Sequence, residues 1–167
     1  MYRLTIKDIL EATGGVLLCG DENTEIKDVC INSKEIKPGD LFVPIIGERV
    51  DAHRFIESAL HTGAATLTSQ HTDIVVSEKP FVYVSDTEKA LQDIGAYVRR
   101  KFKKPVIGVT GSVGKTTTRQ MIATVLSGCL NVYQTEGNLN SQIGVPLTLR
   151  RIDENADCLL YTSDAAD

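Results

Sequence analysis

The stretch that decides the fold is PVIGVTGSVGKTTTRQMIATVLS, residues 105–127. Its apolar opening, Val106, Ile107 and Val109, is typical of a buried parallel strand. A glycine-containing loop follows, and the chain then continues with helical periodicity to a predicted stop at Gly128. Four apolar residues of this helix recur at helical spacing, and we predict that they face inward: Met121, Ile122, Val125 and Leu126. Strand, glycine loop and helix in this order indicate a phosphate-binding loop.

The loop itself, residues 111–116, contains the residue types that phosphate binding requires. Gly111 and Gly114 allow a tight turn that points backbone N–H groups at phosphate oxygens, and the helix adds its positive end. Lys115 supplies a charge for the outer phosphates, and the Thr116 hydroxyl is suited to bind Mg²⁺. The strict G-x-x-x-x-G-K-[ST] pattern places glycine at Val109, so this loop is a variant. A glycine-rich turn before an ordinary helix is the alternative, which the flanking elements disfavour.

Composition indicates an ordinary α/β globular protein. The 167 residues are 42% hydrophobic and 24% charged, with a net charge of −4 that argues against a general nucleic-acid binder. The four cysteines show no C-x-x-C spacing, which fits a reducing cytoplasmic location. No apolar run reaches the length of a membrane span. We therefore expect no nucleic acid and no membrane among the partners.

Alternating strand and helix signals before Pro105 predict a sheet of mixed α/β type. A helix begins at a Thr5–Asp8 capping box and ends at Gly14, and a second helix follows 51–53 and ends at Gly63. A third, long helix begins at a Ser85–Glu88 capping box. The predicted strands are 16–18, 29–31, 41–46, 64–68, 74–77 and 81–85.

The long helix has one apolar face and ends in a basic cluster. That face comprises Ala90, Leu91, Ile94, Tyr97, Val98 and Phe102. The basic residues at 99–104 complement the helix dipole, with an anion-binding patch as the weaker alternative. Pro105 follows and marks the predicted boundary between a domain of residues 1–104 and one of residues 105–157.

Two polar segments of the first domain follow predicted strands, where α/β proteins bind ligands. They are Asn32-Ser33-Lys34 and residues 47–53, which end at His53. For His53 taken alone, a surface or helix-capping role is the favoured alternative. His61 and His71 are predicted to be surface residues.

Three segments together resemble the Mur ligases. They are INSKEIKPGDLFVPIIGERVDAHRF (31–55), PVIGVTGSVGKTTTRQMI (105–122) and TEGNLNSQIGVPLTL (135–149), in the order found in the family. The departures are Lys34 in place of a common arginine, Ala52 in place of glycine in D-G-H, and Ser141 in place of a second asparagine. The resemblance implies an N-terminal domain that binds the UDP end of the substrate, followed by an ATPase domain with a parallel sheet.

The resemblance also implies the site residues. It places the uridine nucleotide near Ser33, Lys34, Gly47 and His53. It assigns catalytic roles to Lys115 and Thr116, with Thr116 also as the metal ligand. The residues that it implies for ATP and Mg²⁺ are Gly111, Ser112, Val113, Gly114, Lys115, Thr116, Thr117, Asn138 and Asn140.

The implied reaction is ATP-dependent amide formation in peptidoglycan precursor synthesis. The closest resemblance implies that D-alanyl-D-alanine is added to UDP-N-acetylmuramoyl-tripeptide through an acyl phosphate, by a monomeric cytoplasmic enzyme. We expect this chain to be an incomplete and inactive part of such a ligase. The alternatives are a UDP-binding module without ligase activity, another Mur-family ligase, and a P-loop kinase, the last two disfavoured by the long N-terminal segment with KPGDLF.

The last ten residues depart from the family pattern. The resemblance implies a strand that carries a glutamate for the metal, whereas residues 158–167 are CLLYTSDAAD, which look like the translation of a transposase-type sequencing adapter. We hypothesise that they are an artefact and exclude them from the predicted fold. A genuine strand, Cys158 to Thr162, is the alternative. We further expect residues 1–100 to fold alone and the last sixty to be marginal, with apolar surface exposed.

Overall fold

A computed structural model describes residues 1–70, 78–135, 139 and 141–162 of the chain. It confirms the mixed α/β class. The strands are β1 Leu4–Thr5, β2 Val16–Cys19, β3 Glu25–Ile26, β4 Val29–Cys30, β5 Leu41–Phe42, β6 Ala65–Thr68, β7 Phe81–Tyr83, β8 Val106–Val109, β9 Val132–Gln134 and β10 Cys158–Thr162. The α-helices are α1 Ile6–Thr13, α2 Ile56–Thr62, α3 Thr87–Lys101, α4 Lys115–Leu126 and α5 Gly144–Arg150.

The chain divides into two compact units. The N-terminal unit is Arg3–Ile94, and the C-terminal unit combines Met1–Tyr2 with Gly95–Asp167. This division lies within α3 rather than at Pro105, because the second half of the helix packs in the C-terminal unit. The Cβ position of Gly95, for example, is only 2.9 Å from Pro146 Cα. The domain limits inferred from the sequence remain a prediction.

The N-terminal unit is built on a five-stranded sheet in the order β2-β7-β6-β5-β4. Strands β4 to β7 run parallel to their neighbours, and β2 is antiparallel at one edge. Helix α2 packs on the sheet through an apolar cluster of Phe42 and Phe81 from the strands with Ile56 and Ala59 from the helix. Burial of these side chains stabilises the fold by about 25 cal/mol per Å² of apolar surface removed from water. This apolar cluster therefore joins α2 to the sheet.

Several predictions for this unit are confirmed. Thr5 and Asp8 form the capping box of α1, which ends at Gly14 in the left-handed conformation with φ of 65°. The apolar face of α3 is buried as predicted. The strand predicted over 41–46 ends early at Phe42, two residues before Pro44, which has no N–H to donate to a ladder. The predicted strand 74–77 and His71 lie outside the described residues.

The predicted Ser85 cap of α3 is wrong, because Asp86 caps this helix. The Asp86 carboxylate accepts hydrogen bonds from the backbone N–H groups of Glu88 and Lys89, at 2.8 and 3.0 Å. The carboxylate thus satisfies two donors of the first turn, which the Ser85 hydroxyl was predicted to cap. The helix begins one residue later than the Ser85–Glu88 pattern requires.

The C-terminal unit contains a three-stranded parallel sheet in the order β8-β10-β9. A cluster of Phe102, Ile152, Ala156 and Leu159 packs beneath it. The central strand is β10, in which Cys158, Leu159 and Leu160 are almost fully buried. The expectation that these residues take no part in the fold is therefore wrong for Cys158–Thr162. The apolar run suits a central parallel strand whatever its origin, and its origin as an adapter stays a prediction.

The inward face of α4 also differs from the prediction. Met121 and Val125 are 65% and 75% exposed, whereas Arg119 and Ala123 are buried. Of the four residues predicted to face inward, only Ile122 and Leu126 are half-buried. The helix ends at Leu126, two residues before Gly128. None of the helices in the described part of the chain has the length and apolar character needed to cross a membrane.

Candidate functional site

The predicted phosphate loop, residues 111–116 and called the phosphate loop below, lies between β8 and the start of α4 and has the backbone conformation predicted from its glycines. Gly111 and Gly114 have φ angles of 144° and 78°, a region that L side chains rarely adopt. Nothing lies within 4 Å of a Cβ built on Gly114, so its backbone conformation rather than space calls for glycine there. Val109, where the strict motif has glycine, is the last residue of β8 and needs no special conformation.

The helix that follows the loop has an N-terminus suited to an anion. Its N-cap is Gly114, which offers no side chain to cap the first N–H groups. The Lys115 ammonium donates a 2.6 Å hydrogen bond to the Gly111 carbonyl and so lies across the loop. Ser112, Val113, Thr116 and Thr117 are exposed around it. The loop thus combines a helix dipole and a positive charge at one accessible place.

Metal binding has limited support from protein ligands alone. Among the described residues, no group of three or more His, Cys, Asp or Glu side chains is placed to hold a metal ion. The Thr116 side chain is exposed at the start of α4, and its hydroxyl oxygen is of a type that could ligate Mg²⁺. Asn138 and Asn140, also predicted to act here, lie outside the described residues.

The second group of predicted site residues lies at the carboxyl edge of the N-terminal sheet. Ser33 and Lys34 follow β4, and Gly47 and His53 follow β5. Because β4, β5 and β6 are parallel neighbours, the segments after them leave from the same edge. Ser33 is half-buried, whereas Lys34 and Gly47 are exposed. The structure therefore places the four predicted residues in segments that leave the same edge of the sheet.

The first loop at this edge is organised by Asn32. Its side-chain oxygen accepts from the Lys34 backbone N–H at 3.1 Å, and its amide nitrogen donates to Glu35 at 2.8 Å. Its backbone carbonyl accepts from the Glu35 N–H at 3.0 Å. The turn fixes the backbone of Lys34 and leaves its side chain in solvent.

His53 is buried, which excludes the surface alternative. Its Nε2 accepts from the Ser69 backbone N–H at 3.2 Å, so Nδ1 carries the proton and donates to Asp51 Oδ1 at 2.7 Å. Asp51 also accepts the His53 backbone N–H. Burial alone would raise the pKa of Asp51, but the backbone and ring of His53, with Gln70, lower it overall. Both ring nitrogens are therefore used within the protein.

Asp51 and Ser69 are the residues that the sequence analysis missed. They join the segment after β5 to the end of β6 through the imidazole of His53. Asp51 could have been found, because it stands two residues before His53 in the quoted D-A-H triplet and at a helix start. Ser69 carries no local signal, since only the parallel pairing of β5 and β6 brings it close.

Comparisons with known proteins give a family for both units. Residues 25–100 match the model described as Mur ligase family, catalytic domain, and residues 109–161 match the Mur ligase middle domain. A Synechocystis UDP-N-acetylmuramoyl-tripeptide–D-alanyl-D-alanine ligase is 42% identical over 81% of this chain. The chain belongs to the Mur ligase family.

Two solved Mur ligases support the fold over most of the chain. MurF from Acinetobacter baumannii has a TM-score of 0.89 at 31% identity and covers 98% of this chain. MurF from Thermotoga maritima, solved in complex with ADP, has a TM-score of 0.74 at 32% identity over 84% of the chain. This Mur ligase chain spans about a third of their length: 36% and 32% of these two, and 30% of the Synechocystis protein.

Proposed function

We propose that this chain is part of an ATP-dependent ligase that joins D-alanyl-D-alanine to UDP-N-acetylmuramoyl-tripeptide in peptidoglycan precursor synthesis. The name of the Synechocystis relative supports the choice within the family. Because the chain spans about a third of its relatives, the activity is proposed for a protein that includes these residues. A cytoplasmic location and a monomeric state remain predictions.

The observation that carries the proposal is the phosphate loop. Its two glycines with positive φ, the uncapped start of α4 and the Lys115 side chain all fit a nucleotide polyphosphate. The ADP complex of the Thermotoga maritima relative supports the same ligand class. The described residues fit ATP, with Thr116 as the protein ligand proposed for Mg²⁺.

Bound ATP would supply the phosphoryl group that activates a substrate carboxylate. In this proposal Lys115 leaves the Gly111 carbonyl, which it contacts at 2.6 Å, and turns to the phosphates. The first N–H groups of α4 orient the same phosphates through the helix dipole. Positioning and charge neutralisation are the main protein contributions to phosphoryl transfer, and these groups supply both at the phosphates.

The N-terminal sheet edge is proposed to hold the UDP end of the substrate. Ser33, Lys34 and Gly47 offer a hydroxyl, an ammonium and an exposed backbone at that edge. His53 would act as a positioning residue, because both its nitrogens bind Asp51 and Ser69. It holds residues 47–53 against the end of β6 and so shapes the edge that the nucleotide would contact.

The test is calorimetric titration of the 167-residue chain with ADP and with UDP, both in Mg²⁺. We expect Lys115→Ala to lower ADP affinity at least about tenfold, as loss of a charged hydrogen bond predicts, and to leave UDP affinity unchanged. Lys103→Ala, an exposed lysine outside the loop, is the control. Equal ADP affinity in the wild type and Lys115→Ala would exclude the nucleotide role of the loop.

A turnover assay then separates ligase from binding module. ATP consumption that requires both UDP-N-acetylmuramoyl-tripeptide and D-alanyl-D-alanine supports the ligase for the chain assayed. UDP binding that survives Lys115→Ala without any ATP consumption favours the alternative, a UDP-binding module, for the 167 residues as given.

A further inference from the structure

A buried guanidinium lies one helical turn behind the phosphate-loop lysine. Arg119 is 7% exposed, and its Nε has no hydrogen-bond partner. No ion pair of this side chain occurs within the described part of the chain either. Arginine is almost always charged and is seldom buried without an anion. An unpaired buried charge in a helix that starts at a phosphate loop therefore requires an explanation.

The position of Arg119 in α4 directs its side chain toward the loop. It lies four residues after Lys115, and residues at this spacing share a helix face. Helical side chains lean toward the N-terminus, and four residues correspond to only about 6 Å of helix, which a long arginine side chain can span. The guanidinium is thus within reach of the edge of the sheet from which the phosphate loop leaves.

Two more buried polar atoms without partners lie at the same edge. Gln134 Oε1 and Thr135 Oγ1 are at the carboxyl end of β9, and Thr135 is 2% exposed. Strand β9 is parallel to β10, which is parallel to β8, so all three carboxyl ends lie together with the loop. Helix α4 packs against β9. Buried polar groups in proteins are normally hydrogen-bonded, so three orphans at one edge indicate a missing ligand.

We infer that Arg119, supported by the Thr135 hydroxyl, is a further anion-binding element of the nucleotide site and contacts the phosphate chain beneath the loop. The inference rests on the proposed function, because it takes the phosphate loop as the nucleotide site. The guanidinium donates a planar fork that suits phosphate oxygens, and the hydroxyl donates one more hydrogen bond. The shared chemistry is an anionic oxygen, which a carboxylate could also supply.

The test is ADP and pyrophosphate titration of the full chain and its variants. Arg119→Met keeps an unbranched apolar stem and removes the charge, and we expect it to lower the affinity for both ligands at least about tenfold. Arg119→Lys keeps the charge but not the planar fork, and its affinities should lie between those of the wild type and Arg119→Met. Lys103→Met, an exposed lysine of the same unit, should bind as the wild type does.

A stability measurement separates ligand binding from a structural role. Removing an uncompensated buried charge should leave the melting temperature of the unliganded chain unchanged or raised, while the upward shift caused by ADP becomes smaller. Unchanged ADP and pyrophosphate affinities in Arg119→Met would overturn the inference and leave a carboxylate as the anion. A lower unliganded melting temperature with unchanged affinity would overturn it as well.

Additional variants distinguish a folding failure, a failure of the proposed function and a failure of the inference about Arg119. If Arg119→Met fails to fold, Arg119→Lys and Thr135→Val carry the test, and wild-type affinity in both overturns the inference. If the wild type binds ADP and Lys115→Ala does not reduce that binding, the nucleotide role of the loop is excluded, and the proposed function fails independently of Arg119. Loss of binding in Lys115→Ala with no change in the Arg119 variants rejects only the inference.

Discussion

The carboxyl edges of the two sheets differ in how their polar groups are paired. In the N-terminal unit, His53 is held by Asp51 and Ser69, and Asn32 closes its own turn. In the C-terminal unit, Arg119 and Thr135 are buried with polar atoms that have no partner. The first edge is assembled by the protein itself. The second has groups that a ligand would complete.

Exposed apolar side chains occur in both units, but the largest exposed fractions lie in the C-terminal one. In the N-terminal unit, Val16, Ile46 and Val50 are 59%, 56% and 48% exposed. In the C-terminal unit, Val113, Met121 and Val125 are 88%, 65% and 75% exposed. The larger exposed fractions thus belong to the unit with the smaller sheet, as expected where fewer layers are available to cover apolar surface.

The largest expected effect is a difference in local stability between the units. We expect backbone amides of β5 to β7 to exchange hydrogen at least about a hundredfold more slowly than those of β8 and β9, because the latter strands carry half-buried residues. Hydrogen-exchange mass spectrometry of the whole chain measures this, with intrinsic rates from the unfolded chain as the reference. Equal protection in the two units would contradict the comparison.

The next effect tests the paired edge through pH. The pKa of Asp51 is lowered in the folded chain, so its carboxylate stabilises the fold above the unfolded pKa of about 3.8 and loses that contribution as the pH falls through the lower folded value. We expect Asp51→Asn to cost about 1 kcal/mol at pH 7, a modest value because the side chain is 38% exposed.

Urea unfolding of the wild type and Asp51→Asn between pH 7 and pH 2.5 measures the difference. It should stay constant down to about pH 4 and shrink below it. Glu48→Gln, an exposed carboxylate in the same segment, is the control and should stay within about 0.5 kcal/mol of the wild type. A difference that grows as the pH falls would reverse the assigned sign.

Most secondary structure and the phosphate loop could be predicted because their signals are local. Glycine at positive φ, the Thr5–Asp8 box and the apolar face of α3 each depend on neighbours within one or two turns. What failed depended on tertiary packing. Hydropathy placed Met121 and Val125 on the inward face, whereas packing against the sheet buries Arg119 and Ala123.

The candidate site divides in the same way. Lys115 and Gly114 could be predicted from the motif, and Ser33 and Gly47 from the strands that they follow and from the resemblance to Mur ligases. Their roles as ligand contacts stay predictions. The partners of His53 could not be found completely, because Ser69 reaches it only after β5 and β6 pair. Contacts between sequence neighbours can be predicted from the sequence, whereas contacts between strands depend on how the strands pair.

An effect of similar size distinguishes the two possible caps of α3. We expect Asp86→Ala to lower the free energy of unfolding by about 1 kcal/mol, because two N–H groups lose their acceptor. Ser85→Ala, one residue away and exposed, should change it by less than about 0.5 kcal/mol. Chemical denaturation of both variants measures this. A larger cost for Ser85→Ala would restore the Ser85–Glu88 capping box.

The smallest expected effect concerns the exposed face of α4. Met121→Gln should change the free energy of unfolding by less than about 0.5 kcal/mol, because the side chain is 65% exposed and the two residues have similar helix propensities. Ala123→Gln, on the buried face two residues away, should cost about 1–3 kcal/mol through overpacking. The pair therefore measures which face of α4 packs on the sheet. A cost above 1 kcal/mol for Met121→Gln would mean that this face is covered in solution, and the greater exposure of apolar side chains in the C-terminal unit would no longer hold.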